Sequence, residues 1–287
     1  MPDFKGYLSD LAGPSANMYK MKGIDMSICD KCQSPSCIHP VVCSNLDTSH
    51  KPMTDLYKKV DANPNIKKAF IGSGIRYDLL TKTYNKRGDE KDMEEYMEQL
   101  QTKHVSGRLK VAPEHTSSET LKLMRKPKFE HFHSFKKAYD KIDRKFNLNQ
   151  KLIPYFISSH PGCKEEDMAN LAAETKDMGF QLEQVQDFTP TPMTVATVIY
   201  YSGFHPYTLK PYYTPKSKQE KLNQHRFFFW YKKENHQWIK NQLSKAKRFD
   251  LLEQLLGGKK KYNEPKKEAS FSKSNGGGNK PKWLEDR

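Results

Sequence analysis

The chain has 287 residues, of which 36% are hydrophobic and 29% charged, and it carries a formal net charge of +15. That length can bury a sizeable core in one large domain or two small ones. No apolar run reaches the roughly 18 residues of a membrane span, and Met1 to Gly6 has no apolar signal-peptide core, so no membrane role and a reducing cytoplasm are expected.

Part of the charge sits at the C-terminal end. Residues 257–287 hold nine Lys/Arg against four Asp/Glu, a net +5, which leaves +10 for the body. Such an excess favours an acidic partner, RNA or another acidic substrate. The lysines are scattered in sequence and form no compact aromatic–basic stripe, so a solvated basic surface stands beside that reading.

In chain order, residues 4–12 read as a short strand stopped by Gly13-Pro14. A dense cysteine cluster follows, Cys29, Cys32, Cys37 and Cys43, four of the chain's five cysteines within fifteen residues. In a chain without secretory marks, thiols at the spacing C-x2-C-x4-C-x5-C point to a metal site rather than disulfides. The spacing leaves zinc and an iron–sulfur cluster both open.

Residues 52–62 read as a helix ended by Asn63-Pro64, with Met53, Leu56 and Val60 on its inner side. Lys67 to Arg76 is a strand ending in Gly72-Ser73-Gly74. Residues 89–103 are helical, with Met93, Tyr96, Met97 and Leu100 on one face. Val105 to Ala112 is a strand closed by Pro113-Glu114-His115, and Ser117 opens a helix without a full capping box. A helix over 130–146, a strand over Leu152–Ser158 and a helix over 165–178 stopped by Gly179 follow. Phe180 to Phe188 reads as the last clear strand, and residues 193–200 as a helix or short strand.

Strands and helices thus alternate, the mark of βαβ units and a parallel α/β sheet, whose ligands lie at the strands' C-terminal ends. Five strands are too few for a closed eight-strand barrel; a partial parallel (β/α) barrel or a doubly wound sheet fits. Residues 1–215 make up this unit with its loop 29–43, and residues 216–256 a helical extension. The aromatic block Phe227–Tyr231 reads as core. Residues 257–287 read as a disordered basic tail.

The string Val105 to Pro127, containing Ala-Pro-Glu-His-Thr, strongly resembles the YgiQ family of radical S-adenosylmethionine (SAM) proteins. Tyr7–Asn17, Phe70–Asp78, Pro154–Gly162 and Gln184–Pro192 are similar to other stretches of that family. The resemblance covers roughly residues 3–256. It implies a partial (β/α)6 barrel of radical SAM type, and a [4Fe-4S] cluster that cleaves S-adenosylmethionine to a 5′-deoxyadenosyl radical.

The C-x3-C-x2-C loop that holds the family's radical cluster is absent from this sequence, and Cys29, Cys32, Cys37 and Cys43 are spaced differently. The resemblance therefore implies a C-terminal part of such a protein, truncated or split, with an upstream radical SAM segment as partner. On that reading the cysteine loop holds an auxiliary Fe–S cluster or zinc. By position in the family, Glu114 and His115 approach the SAM ribose, and Ser158 and His160 lie on the strand along the adenine. Ser73, Gly74 and Arg76 sit at another strand end, where a guanidinium suits a carboxylate or phosphate. Asp187 ends the last strand, and Cys163 reads as a lone thiol. Each of these also reads as a hydrogen bond that merely holds a loop. The alternative function is a non-catalytic, metal-stapled, basic RNA-binding protein. Catalytic residues and substrate are not written in the sequence.

Overall fold

The computed structural model describes residues 4–11, 13, 15–182 and 185–257. Strand β1 (Tyr7–Leu8) pairs in parallel with β2 (Lys68–Ala69). Strands β3 (Arg108–Glu114), β4 (Lys151–Ser158) and β5 (Gln186–Asp187) form a second parallel set in that order. A parallel bridge between Ile75 and Val111 joins the two sets. The strands therefore neighbour one another in chain order, and their C-terminal ends share one edge.

Helices fill the crossovers, as parallel strands require. Helix α1 (Met26–Asp30) lies in the cysteine loop, and α2 (Lys51–Asp61) leads to β2. Helix α3 (Glu90–Gln99) runs on into a π-helical turn, Leu100–His104. Next come α4 (Ser118–Leu123), α5 (Glu130–Phe146) and α6 (Glu165–Asp177). The chain is mixed α/β, as its alternating pattern requires. None of the described helices is long and apolar enough to cross a membrane.

Periodicity placed the inner face of α3, and α5 shows the same spacing of buried residues. Met93, Tyr96, Met97 and Leu100 are buried, as are Phe132, Phe135, Tyr139 and Ile142 along α5. On α2 the buried set is Met53, Thr54 and Tyr57, with Leu56 and Val60 only half-buried. Three strands are shorter than the sequence suggests: β1 (Tyr7–Leu8), β2 (Lys68–Ala69) and β5 (Gln186–Asp187). The backbone of Phe180 donates to Thr175 O and that of Gly179 to Lys176 O (2.9 and 3.0 Å). With Gly179 at φ +80° this makes a Schellman stop for α6. Phe180 is thus spent on ending a helix and packing on Phe132, and β5 begins only at Gln186.

Pro154 sits inside β4, where a proline removes a ladder donor. Among the described residues β5 meets β4 only at Ile157 and Ser158, so Pro154 has β3 alone beside it.

Residues 195–202 form helix α7 (Val195–Ser202), capped by the Thr194 hydroxyl. Helices α8 (Lys218–Phe228), α9 (Lys233–Lys245) and α10 (Phe249–Leu256) complete the described chain. Phe227, Phe228, Ile239, Leu243, Leu251 and Leu255 from these three helices join the same core as the βα units. The ammonium of Lys176 at the end of α6 donates to Gln254 O and Leu255 O, at 2.7 and 3.0 Å. Residues up to Leu256 are one compact unit. The expected disordered tail falls, from Gly258 onward, outside the described residues.

Candidate functional site

Between Val111 and Glu114 the β3–β4 register slips. Ala112 and Pro113 oppose the single residue Tyr155, a bulge, and bulges re-aim side chains at strand ends. Glu114 leaves the bulge at φ +68°, and Ser159, just past β4, has φ +61°. Left-handed backbone at a non-glycine residue costs about 1–2 kcal/mol, and such strain clusters at ligand sites.

A cavity of about 230 Å³ opens here, lined by Ser15, Gly74–Asp78, Ala112, Glu114, Lys126 and Pro127. Its charged walls are two ion pairs. Arg76 makes a fork to Asp78, Nε to Oδ1 at 2.9 Å and Nη2 to Oδ2 at 2.5 Å, with the Asp78 carboxylate almost wholly buried. Lys126 Nζ lies 3.0 Å from Glu114 Oε1. Burial works against the Arg76 charge, but Asp78 outweighs it and raises the guanidinium pKa. Of the residues expected to bind a cofactor, Gly74, Arg76 and Glu114 therefore share one wall. Arg76 is not a free cation, because Asp78 already takes two of its donors.

The other expected residues do different work. Ser73 donates its hydroxyl to Asp10 Oδ2 at 2.5 Å, and Asp10 Oδ1 also accepts from the backbone of Gly72 and Ser73. Burial raises the Asp10 pKa, yet these bonds outweigh it and hold it below the usual carboxylate range. The fully buried His115 accepts at Nδ1 from the backbones of Thr116 and Ser117 at 3.0 and 2.9 Å. Its proton is thereby fixed on Nε2, which points at Cys163 Sγ, 3.3 Å away. Burial and then the nearby His160 depress its pKa to about 3, so the ring is neutral. Ser158 donates to Asp187 Oδ1 at 2.5 Å, which is also 2.8 Å from His225 Nε2. Burial pushes Asp187 up, but Ser158 and His225 outweigh it. His160 bonds Pro161 O through Nδ1 at 2.8 Å.

The β4 and β5 tips thus carry a self-satisfied polar network next to the cavity wall. Gln224 of α8 ties it off, accepting from Ser159 N (2.7 Å) and donating to Cys163 O (2.9 Å). Cys163 is fully buried and its thiol is pushed far up by burial, so it is an inert thiol.

The four loop cysteines lie together on one surface loop. Backbone and side-chain N–H groups point at three of the sulfurs: Ser34 N at Cys32 and Asn45 N at Cys43, both 3.4 Å, and Asn45 Nδ2 at Cys29, 3.3 Å. Burial first, then repulsion from Cys43, Cys29 and Cys32, raises the Cys37 pKa. A cation would relieve that repulsion, and N–H donors favour thiolate, so the donor set suits a thiophilic metal. Among the described residues, though, no group of three or more His, Cys, Asp or Glu side chains is gathered so as to hold a metal ion. The loop is fixed to the cavity's own segment. Tyr84 donates to Ile38 O, Arg87 to Ser44 O (2.9 Å), and Asn85 Oδ1 accepts from Thr48 (3.3 Å).

Sequence reasoning missed Asp78, Lys126, Asn17, Gln224 and His225. Asn17, buried, holds the Arg76 backbone from both sides, accepting from its N–H at 2.7 Å and donating to its C=O at 3.0 Å. Asp78 stood in the string that carried the family resemblance, two residues past Arg76, and that proximity was the available signal.

An α/β chain with strand tips around a charged cavity and a cysteine loop bolted beside it matches known proteins along nearly its whole length. It is 62% identical over 261 residues to a UPF0313 protein of Bacteroides thetaiotaomicron, covering 91% of this chain and 42% of that protein. A UPF0313 protein of Porphyromonas gingivalis is 59% identical over 256 residues, 89% of this chain and 40% of its own length. One from Methanocella arvoryzae is 41% identical over 253 residues, 88% and 40%. UPF0313 is the designation of the YgiQ-type family. Residues 183–275 match the domain of unknown function DUF3362. The chain spans about two-fifths of the length of these curated relatives.

Proposed function

We propose that this chain is part of a UPF0313 protein of the YgiQ type, and that it contributes cofactor-binding walls to a radical SAM enzyme. The carrying observation is the cavity at the shared edge of strands that run parallel and neighbour one another in chain order. That order is what a partial (β/α) barrel needs, and its strand tips are where such sheets bind ligands.

Bound SAM, with an iron–sulfur cluster held elsewhere in the longer protein, supplies the radical chemistry. This chain's residues bind and orient. Glu114 offers carboxylate oxygens to ribose hydroxyls, exchanging its Lys126 partner. Lys126 and the outer edge of Arg76 face a carboxylate, and Asp78 keeps the guanidinium plane fixed. A volume of about 230 Å³ is below the roughly 300–1,000 Å³ of a complete small-molecule site, so it encloses part of the cofactor. Cys29, Cys32, Cys37 and Cys43, which are not gathered around a metal position here, would have to draw together to hold an auxiliary Fe–S cluster or zinc. Ser158, His115 and His160 support the strand tips from behind.

The test is calorimetric titration of the chain with SAM. Saturable binding is expected, weakened roughly tenfold or more in Glu114→Ala, the loss of one charge-assisted contact. Absence of any heat or chemical-shift change at millimolar SAM would sink this reading of the cavity.

A further inference from the structure

A second surface lies beyond the cavity, on residues 193–218. At its root, His160 packs on Phe188 (ring centroids 4.8 Å apart), Phe188 on Tyr200 (5.6 Å) and Tyr200 on Tyr201 (5.3 Å). This ladder climbs from the buried β4 tip to open solvent, where Tyr201 is 70% exposed. After Gly203 the chain turns back on itself. Phe204 bridges Pro211 antiparallel, His205 N donates to Lys210 O (2.9 Å) and Tyr212 N to Gly203 O (2.8 Å). A bond from Gly162 N to Tyr213 O (2.7 Å) ties this hairpin to the turn after β4. The hairpin is therefore a fixed platform, yet it leaves Tyr207 82% and Leu209 72% exposed.

The charge around it has one sign. Residues 193–226 contain five Lys/Arg and one carboxylate, Glu220. Glu220 is already engaged by Ser217, Tyr213 and the Lys216 backbone. Lys210 Nζ stands 5.4 Å over Tyr212 and Lys216 Nζ 5.7 Å over Tyr200. Lysines that look scattered in sequence stand here over Tyr212 and Tyr200, half-buried rings of the same platform that presents Tyr201, Phe204 and Tyr207 to solvent.

We propose that this platform binds single-stranded nucleic acid. Unpaired bases stack on Tyr201, Phe204 and Tyr207, and Lys210 and Lys216 meet the phosphates. Exposed flat rings beside ammonium groups are the chemistry that single strands use. Among the described residues neither Lys210 nor Lys216 is in an ion pair, and Lys216 Nζ is held beside Tyr201 by its bond to Tyr201 O at 3.2 Å. A duplex keeps its base faces inside and leaves the rings idle. The inference goes beyond the cofactor cavity and needs nothing bound there.

The experiment is fluorescence anisotropy with the full chain and labelled oligouridine and oligodeoxythymidine of about twelve nucleotides, against a duplex of equal length. Tighter binding of the single strands than of the duplex is expected, the two sugars separating RNA from DNA preference. The Tyr201→Ala/Tyr207→Ala double variant keeps every charge and should lose roughly tenfold or more in affinity. Tyr207→Trp should bind at least as well as the parent, and Tyr7→Ala, an exposed ring on β1, should not differ from it. Unchanged melting temperatures check that the variants are folded. Equal affinity of the double variant and the parent, equal affinity for duplex and single strand, or no binding at low salt would each overturn the proposal.

Discussion

The phenol of Tyr84 donates to the backbone carbonyl of Ile38, the residue after Cys37. Tyr84 belongs to the segment that begins with Arg76 and Asp78, so one stretch of backbone both walls the cavity and clasps the cysteine loop. Burial, then Arg125 and the cavity-wall Arg76, depress the pKa of His39, the next loop residue, so the loop lies within reach of the Arg76 charge. Tyr84→Phe should therefore weaken zinc binding by the loop roughly fivefold, the worth of about 1 kcal/mol for one hydrogen bond. Cys32→Ala and Cys37→Ala should abolish stoichiometric metal. Competition against a chromogenic chelator reads both effects, and full metal occupancy in both cysteine variants would end the assignment of the loop.

The Arg76–Asp78 fork makes a second prediction. Asp78 is about 1% exposed and Arg76 about 20%, so Asp78→Asn strands a mostly buried guanidinium. Removing one partner of a buried pair costs about 3–5 kcal/mol. The partial exposure of Arg76 puts the expected loss at the lower end. Chemical denaturation should show a lower midpoint, and Asp78→Glu should not recover it, because the longer side chain cannot keep the planar fork. A midpoint within error of the parent's would show that Asn17 alone holds the Arg76 backbone in place.

Glu114 allows strain and function to be told apart. At φ +68° its backbone is unfavourable for any residue but glycine. Glu114→Gly should relieve about 1 kcal/mol and so offset the lost Lys126 contact, leaving the melting temperature near the parent's. Glu114→Ala keeps the strain, loses the contact and should melt lower. Both should lose SAM affinity alike. If glycine melts as low as alanine, the left-handed conformation carries no strain worth relieving.

The alternation of βα units, the span of α5 and the stop at Gly179 could be read from the sequence because local rules govern them: period 3.6, period 2 and a left-handed cap. What escaped depended on distant partners. Gln224 and His225 lie more than thirty-five residues beyond Ser158, Cys163 and Asp187, and only the docking of α8 onto the βα core brings them together. His115 illustrates the limit from the other side. Its place at a strand end was legible, but its neutral, buried ring became visible only with Thr116, Ser117 and Cys163 around it. The aromatic platform escaped for the same reason: Lys210 and Lys216 are ordinary in sequence and meet rings only after Gly203 turns the chain.

Three of the four buried histidines among the described residues dominate the acid limit of the fold; burial lowers the fourth, His104, too, with its bond to Ala69 O and the nearby Asp61 opposing. Burial depresses His50 to about 4 and His160 to about 4, and burial, then the neighbouring His160 ring, depresses His115 to about 3. Each is neutral in the folded chain, while the unfolded chain takes up a proton near pH 6.5. Below pH 6.5 the unfolded state therefore binds more protons, and stability falls as pH falls. The stability is present above about pH 6.5 and is lost progressively down to about pH 4–3, on the order of 3 kcal/mol for each ring. Asp187, held low by Ser158 and His225 against burial, adds its loss only at the acid end of that window. Thermal melts between pH 8 and 4 should show a flat region above pH 7 and a steep decline beneath it. His50→Gln keeps a side chain for the Asn17 amide, now 3.2 Å from the ring, and should flatten the decline measurably. A melting temperature unchanged from pH 7 to pH 5 in the parent chain would mean that these rings do not stay neutral when folded.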